Sequence, residues 1–178
     1  VSTENLDDAF KLFTVLNNRG VKLRNADILK ADNLSNVPEN LQDGYAKQWE
    51  DIESYFGEDF DKFLSHLQSV LVKEKARLSL LDEFEKNIFL AERLNKGDDF
   101  FNFINRYKEN YEYLFDTTQD KQLKSLLMLM QVGFESDIWI APLLKYYDKF
   151  KEENLVKFVE KLNNKFASDW ISQLTPTE

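Results

Sequence analysis

A chain of 178 residues with 43% apolar residues, fifteen of them Phe, can bury a sizeable core, which excludes a disordered tail. It has no cysteine, so disulfides and thiolate metal sites are excluded, and this composition is typical of the reducing cytoplasm. No apolar run reaches the roughly 18 residues of a membrane span. The first residue is Val rather than Met, which indicates a piece of a longer protein.

The charge is unevenly distributed along the chain. The net charge is −9, yet residues 1–34 carry five acidic and five basic side chains, so the other 144 residues hold the whole excess. Within residues 19–30 the charge is +3. A protein that grips duplex DNA by itself usually presents a broad basic face, and this sequence does not.

The spacing of apolar residues predicts an all-α fold, an irregular bundle of eight or nine helices. Five glycines and three prolines favour long helices with short connections. The predicted helices, in chain order, cover residues 5–16, 25–34, 38–56, 58–72, 78–95, 98–114, 123–132, 141–150 and 152–174. The helix over 123–132 is nearly all apolar, so we expect it to be the most buried. We predict a single helical domain over 1–178, with a corner at 1–36 and a bundle over 37–178.

The corner is the part of the sequence that departs from ordinary helix composition. Asn17 and Asn18 favour the end of a helix, and Gly20 can adopt positive φ without steric cost. Arg24-Asn25 then offers a cap for a helix whose inward residues are Ala26, Ile28 and Leu29. In a structural interpretation Asp27 caps this helix or pairs with Arg19 or Lys30. In a functional one, Arg19 and Lys30 reach an anionic ligand or a neighbouring domain, aided by the helix N-terminus.

Seven residues are therefore the candidates for function. The ligand or domain-contact candidates are Asn17, Arg19, Gly20, Asp27 and Lys30, and the nucleic-acid candidates are Lys22 and Arg24. We predict no catalytic residue and no metal site. A single histidine, His66, cannot supply a two-histidine zinc site, and we expect it on the surface.

Two further patterns have structural interpretations. The acidic clusters at 50, 51 and 53 and at 58, 59 and 61 lack the Glu-x-x-His pairs of helical di-metal sites, so we interpret them as solvated charge. The aromatic residues at 100, 103, 107 and 111 have helical spacing and no accompanying basic groove. They are predicted to be core rather than a base-stacking platform.

The corner also carries a family motif. It reads Ala9-Phe10-x-x-Phe13-x-x-Leu16-Asn17-x-Arg19-Gly20-x-x-Leu23-x-x-x-Asp27-Ile28-Leu29-Lys30. It resembles the signature that opens the helical region of GmrSD-type bacterial restriction endonucleases, after their ParB-like N-terminal domain. The match covers about residues 6–30, with a weaker similarity around Trp139 to Tyr147. The Asp-Gly-Gln-Gln-Arg motif of the ParB-like core and the His-Asn-His nuclease signature are both absent.

The resemblance implies that this chain is the helical middle of such a protein, without catalytic residues or a cofactor of its own. It implies flanking ParB-like and nuclease domains, a nucleoside triphosphate and a divalent metal in the full-length protein, and cutting of modified phage DNA in the cytoplasm. DNA would be contacted only through the full-length protein, and no membrane is involved. Two alternatives stay open: a helical protein-interaction module with no enzymatic parent, and direct DNA binding through Arg19, Lys22, Arg24 and Lys30.

Overall fold

The fold of the chain is all-α, as predicted. The structure is a computed structural model that describes residues 24–74 and 76–172, and these residues contain no strand. The helices are α1 Asn25–Leu34, α2 Glu39–Phe56, α3 Phe60–Val72, α4 Leu80–Asp82, α5 Asp98–Glu112, α6 Lys121–Gly133, α7 Ile140–Phe150 and α8 Leu155–Ile171. A 3-10 turn, Gly57–Asp59, precedes α3, and π-helical segments Glu83–Phe89 and Tyr113–Thr117 continue α4 and α5.

The predicted number of helices is slightly high for this part of the chain. The described residues contain seven α-helices of ten or more residues, and the predicted helix over 5–16 lies outside them. The helix predicted over 78–95 is wrong in its extent, because α-helical bonding covers only Leu80–Asp82. Bonds to the fifth preceding residue follow, such as Leu90 N–H to the Glu85 carbonyl at 2.9 Å, and Glu92 then takes a φ of 53° in a turn.

The chain divides into two compact units, Val1–Asn105 and Arg106–Glu178. In the described part of the N-terminal unit the core is aromatic. Trp49 lies at its centre, with ring centroids 5.0 Å from Phe60, 5.9 Å from Phe100 and 6.0 Å from Phe101. Because these rings come from α2, α3 and α5, burying them joins the three helices. The single-domain interpretation of the whole chain stays a prediction.

The C-terminal unit is built around the contact between α6 and α8. Leu123, Leu127 and Met130 are buried on α6, and Val159 and Phe166 are buried on α8. The expectation that α6 is the most buried helix is wrong. Leu126 is half-buried, and Met128, Leu129 and Val132 are 65%, 61% and 79% exposed, so α6 buries one face only.

The aromatic stripe on α5 is core, as predicted, for most of its length. Phe100, Phe103 and Tyr107 are buried, and Tyr111 is half-buried. Over the described residues, no helix combines the length and the apolar character needed to cross a lipid bilayer.

The C-terminus of α3 ends on a strained residue. Lys73 has φ 62° and ψ 21°, the left-handed conformation that glycine adopts without cost, and its side chain is exposed. We expect Lys73→Gly to raise the free energy of unfolding by about 1 kcal/mol, since it removes this strain. Urea denaturation compares the variant with Lys47→Gly inside α2, which should instead be destabilised by about 1 kcal/mol. A loss of stability in Lys73→Gly would contradict the left-handed conformation assigned to Lys73.

Candidate functional site

The described part of the predicted corner is the start of α1. The backbone N–H of Arg24 donates to Asp27 Oδ2 at 2.9 Å. Asp27 therefore caps α1, as the structural interpretation of the corner allowed. Ala26, Ile28 and Leu29 are buried, as predicted from the spacing. The other candidates of the corner, Asn17, Arg19, Gly20 and Lys22, lie outside the described residues.

The two described cations of the corner are paired with carboxylates of α2. The Arg24 guanidinium forms an ion pair with Glu53, and Lys30 Nζ lies 3.0 Å from Glu50 Oε1. Asn25 Nδ2, beside them, donates to Asp61 Oδ2 of α3 at 3.2 Å. Glu50 and Glu53, from the acidic cluster on α2, therefore neutralise the two described cations of the corner, and Arg24 and Lys30 lose part of the attraction they could exert on a phosphate.

The opposite end of α1 is fixed by a buried amide. The Asn33 side chain is fully buried; its Nδ2 donates to the Leu29 carbonyl at 2.8 Å, and its Oδ1 accepts from Gly97 N–H at 3.2 Å. Gly97 has a φ of 82°, and a Cβ there would lie 2.7 Å from the Asn36 carbonyl oxygen. Only glycine fits this approach of two backbone segments.

An ion cluster lies beside this contact. Lys96 Nζ is 2.9 Å from Asp32 Oδ2 and 2.8 Å from Glu85 Oε2. Partial burial disfavours its charged form, but hydrogen bonds and charge attraction from Glu85 and Asp32 outweigh burial, so the pKa of Lys96 is raised. Lys96 therefore stays protonated and joins α1 to the π-helical segment Glu83–Phe89.

Glu83 accepts hydrogen bonds at both of its carboxylate oxygens. Oε1 accepts from the backbone N–H groups of Arg77 and Leu78 at 2.7 and 3.0 Å, and Oε2 accepts from Asn87 Nδ2 at 2.6 Å and Gln68 Nε2 at 3.2 Å. Burial opposes ionisation, yet these four donors lower the pKa of Glu83. A carboxylate with every lone-pair direction used is a structural anchor rather than a general base.

His66 is buried, so the expectation that it lies on the surface is wrong. It is 8% exposed, because α3 contacts α1, α2 and the π-helical segment at once and buries more than one face. In the part of the chain that the structure describes, no three histidine, cysteine or acidic side chains are grouped to hold a metal ion.

The C-terminal unit contains a polar cluster that the sequence did not reveal. Asp148 accepts from the Tyr107 hydroxyl at 3.1 Å and from Asn110 Nδ2 at 3.2 Å, and its Oδ1 lies 3.2 Å from Arg106 Nε. Lys151 Nζ donates to Asn110 Oδ1 at 3.0 Å. We call these five residues the Asp148 cluster. Tyr107 and Asn110 are buried, Asp148 is half-buried, and Arg106 and Lys151 are exposed, so the cluster joins α5 to the end of α7 at the edge of the core.

Tyrosines extend this cluster along the same two segments. Tyr113 stacks on Tyr147 with centroids 4.8 Å apart, and its hydroxyl donates to Glu152 Oε1 at 2.6 Å. Burial, then the nearby Tyr113 and Glu152, raise the pKa of Tyr147 to about 12. Burial and the Asp148 carboxylate likewise raise the pKa of Tyr107. Both phenols stay protonated at neutral pH and do not act as bases there. Tyr107 donates a hydrogen bond to Asp148, and Tyr147 is a packing group.

The backbone at Lys151 is strained. Its φ of 50° and ψ of −127° lie in a region that glycine occupies and side-chain-bearing residues avoid. The Lys151 ammonium also lies 5.0 Å from the Tyr147 ring centroid. The cation–π contact and the hydrogen bond to Asn110 hold the residue in this conformation.

Comparison with known proteins identifies the family of the chain. A family model, described as a family of unknown function (DUF7834), matches residues 16–166. The chain belongs to this family. The match includes the corner from Leu16 onward and the whole Asp148 cluster, and it ends before Trp170. No curated protein and no solved structure matches the chain.

Proposed function

We propose that this DUF7834 chain is the helical, non-catalytic domain of a GmrSD-like restriction protein. It links a ParB-like nucleotide-binding domain to a nuclease domain in the cytoplasm. Residues 17–30 of the corner contact the ParB-like domain. The full-length protein uses a nucleoside triphosphate and a divalent metal to cut modified DNA. The resemblance of residues 6–30 and the cysteine-free composition support this proposal.

The observation that carries the proposal is the way α1 is held at both ends. Ion pairs and a hydrogen bond fix its first turns to α2 and α3, and Asn33 fixes its last turn to Gly97. Residues 17–23 precede α1 directly in the chain. A displacement there would be passed to α2 and α3, because a rigid helix with fixed ends moves as one body.

The Arg24–Glu53 pair allows a direct test in the natural full-length protein. We expect Glu53→Lys to reduce nucleotide stimulation of DNA cleavage roughly fivefold, which corresponds to about 1 kcal/mol of lost coupling. The double variant Arg24→Glu with Glu53→Arg should restore stimulation, because it rebuilds the pair with exchanged charges.

The control is Asp51→Lys, which makes the same charge change on the same helix as Glu53→Lys. Asp51 is exposed and lies two residues before Glu53. It should leave stimulation within twofold of the wild type, as exposed substitutions away from such contacts have small effects. Equal losses in Asp51→Lys and Glu53→Lys, or no rescue in the double variant, would count against the relay through α1.

A second candidate function is a helical protein-interaction module with no enzymatic parent. The exposed apolar residues of α6 favour it, since contiguous apolar surface often marks an interaction site. The two functions differ in their neighbours: a natural protein without a nuclease domain would favour the module.

A further inference from the structure

Helix α6 presents two apolar faces, and the described residues of its own unit cover only one of them. Leu123, Leu127 and Met130 form the inner face that packs towards α8. At 100° per residue, Met128, Leu129 and Val132 point to the opposite side, together with Lys121 and Ser125. These outer apolar residues are between 61% and 79% exposed. The outer face therefore carries an apolar stripe over residues 128–132, about one turn of the helix.

The charges around this stripe are arranged in one direction. Lys121 and Lys124 lie in the first turn of α6, and α6 contains no acidic residue. Asp120, directly before α6, caps the helix by accepting from the backbone N–H groups of Gln122 and Leu123. The acidic residues Glu135 and Asp137 follow its C-terminal end, and Glu135 is exposed. A helix that is basic at its start and followed by acid at its end is complementary to an antiparallel copy of itself.

We propose that the outer face of α6 is a homodimer interface, in which α6 pairs antiparallel with α6 of a second copy of this chain. A two-fold axis between positions 128 and 129 places Met128 against Leu129 of the other copy and Ser125 against Val132. Lys121 then lies about 11 Å from the centre along the helix axis. It is on the same side as the C-terminal end of the other copy's α6, which Glu135 follows. The opposite helix dipoles add a further attraction.

The size of the contact sets the expected strength. Helix α6 has 13 residues and is therefore about 20 Å long, so one helix pair buries less surface than a standard protein interface. We expect a reversible dimer with a dissociation constant in the micromolar range, not an obligate one.

Sedimentation of the full 178-residue chain over a concentration series tests the interface. We expect dimer formation in the wild type and a dissociation constant on the order of 100-fold higher in Leu129→Lys, because two charges would be buried at the centre of the pair. The matched control is Leu90→Lys, since Leu90 is 70% exposed and lies in the other unit. It should dimerise like the wild type.

A charge cycle tests the orientation of the pair. Lys121→Glu and Glu135→Lys should each weaken the dimer several-fold, and the double variant should recover it. Circular dichroism confirms that each variant is folded, which we expect because all the substituted positions are exposed.

A chain that stays monomeric at the highest concentration overturns the proposal. So does a dimer that Leu129→Lys leaves intact, since another surface would then form it. Unfolding of a monomeric chain by Leu129→Lys would also overturn the proposal, because it would show that other residues of the same chain cover the outer face of α6.

Discussion

Gly97→Ala is expected to lower the free energy of unfolding by about 2–4 kcal/mol. Two costs add at this position. The φ of 82° is unfavourable for alanine, and the new Cβ would lie 2.7 Å from the Asn36 carbonyl oxygen. The obstacle is backbone rather than a flexible side chain, so relief requires α1 and the loop before α5 to separate. The hydrogen bond from Gly97 N–H to Asn33 would be strained by the same movement.

The control for this substitution is Gly44→Ala. Gly44 lies inside α2, and a Cβ there would meet no atom within 4 Å. It should gain about 0.5–1 kcal/mol, because alanine favours a helix over glycine. Chemical denaturation measures both variants. A Gly97→Ala protein within 0.5 kcal/mol of the wild type would show that the two segments do not approach as described.

Glu83→Gln is expected to cost about 2–3 kcal/mol at neutral pH. The amide loses the charge that strengthens four hydrogen bonds, and its NH₂ group would face donors instead of acceptors. The loop around Arg77 and Leu78 would then lose the partner of two backbone N–H groups.

The pH dependence of this effect follows from the lowered pKa of Glu83. The folded state binds the proton less readily than the unfolded chain, whose glutamate pKa is near 4.5. The stabilisation is therefore complete above that pH and is lost as the pH falls through the lowered folded-state pKa. Urea unfolding at neutral pH and in acid should show the difference between wild type and Glu83→Gln shrinking in acid.

Glu58→Gln is the matched control for this change, because Glu58 is exposed in the 3-10 turn. It should stay within about 0.5 kcal/mol of the wild type at every pH. A Glu83→Gln difference that is the same in acid and at neutral pH would contradict the assignment of an ionised, hydrogen-bonded Glu83.

The sequence alone predicted the bounds of those helices that have one apolar face and a clear end. The prediction for α1 matches its bounds, and Gly57 ends α2 as its position indicated. The helix predicted over 141–150 corresponds to α7, Ile140–Phe150, with a start one residue earlier. Local spacing decides these features, because each depends on residues three or four positions apart.

The sequence was insufficient where partners lie far apart in the chain. Asp148 meets Tyr107 and Asn110 across some 40 positions, and none of these residues departs from ordinary helix composition. Glu83 was equally inconspicuous, because its donors at 68, 77, 78 and 87 belong to three segments. The apolar composition of α6 predicted that it would be the most buried helix, which is wrong because composition does not tell whether a neighbour covers the second face.

The most direct test of the proposed function is a cleavage assay on the natural full-length protein and on residues 1–178 alone. With nucleoside triphosphate, a divalent metal and modified DNA, we expect the full-length protein to cut and the 178-residue chain to be inactive. A full-length protein that does not cut modified DNA, with or without nucleotide, would contradict the restriction assignment. Cleavage by the 178-residue chain would contradict its non-catalytic role.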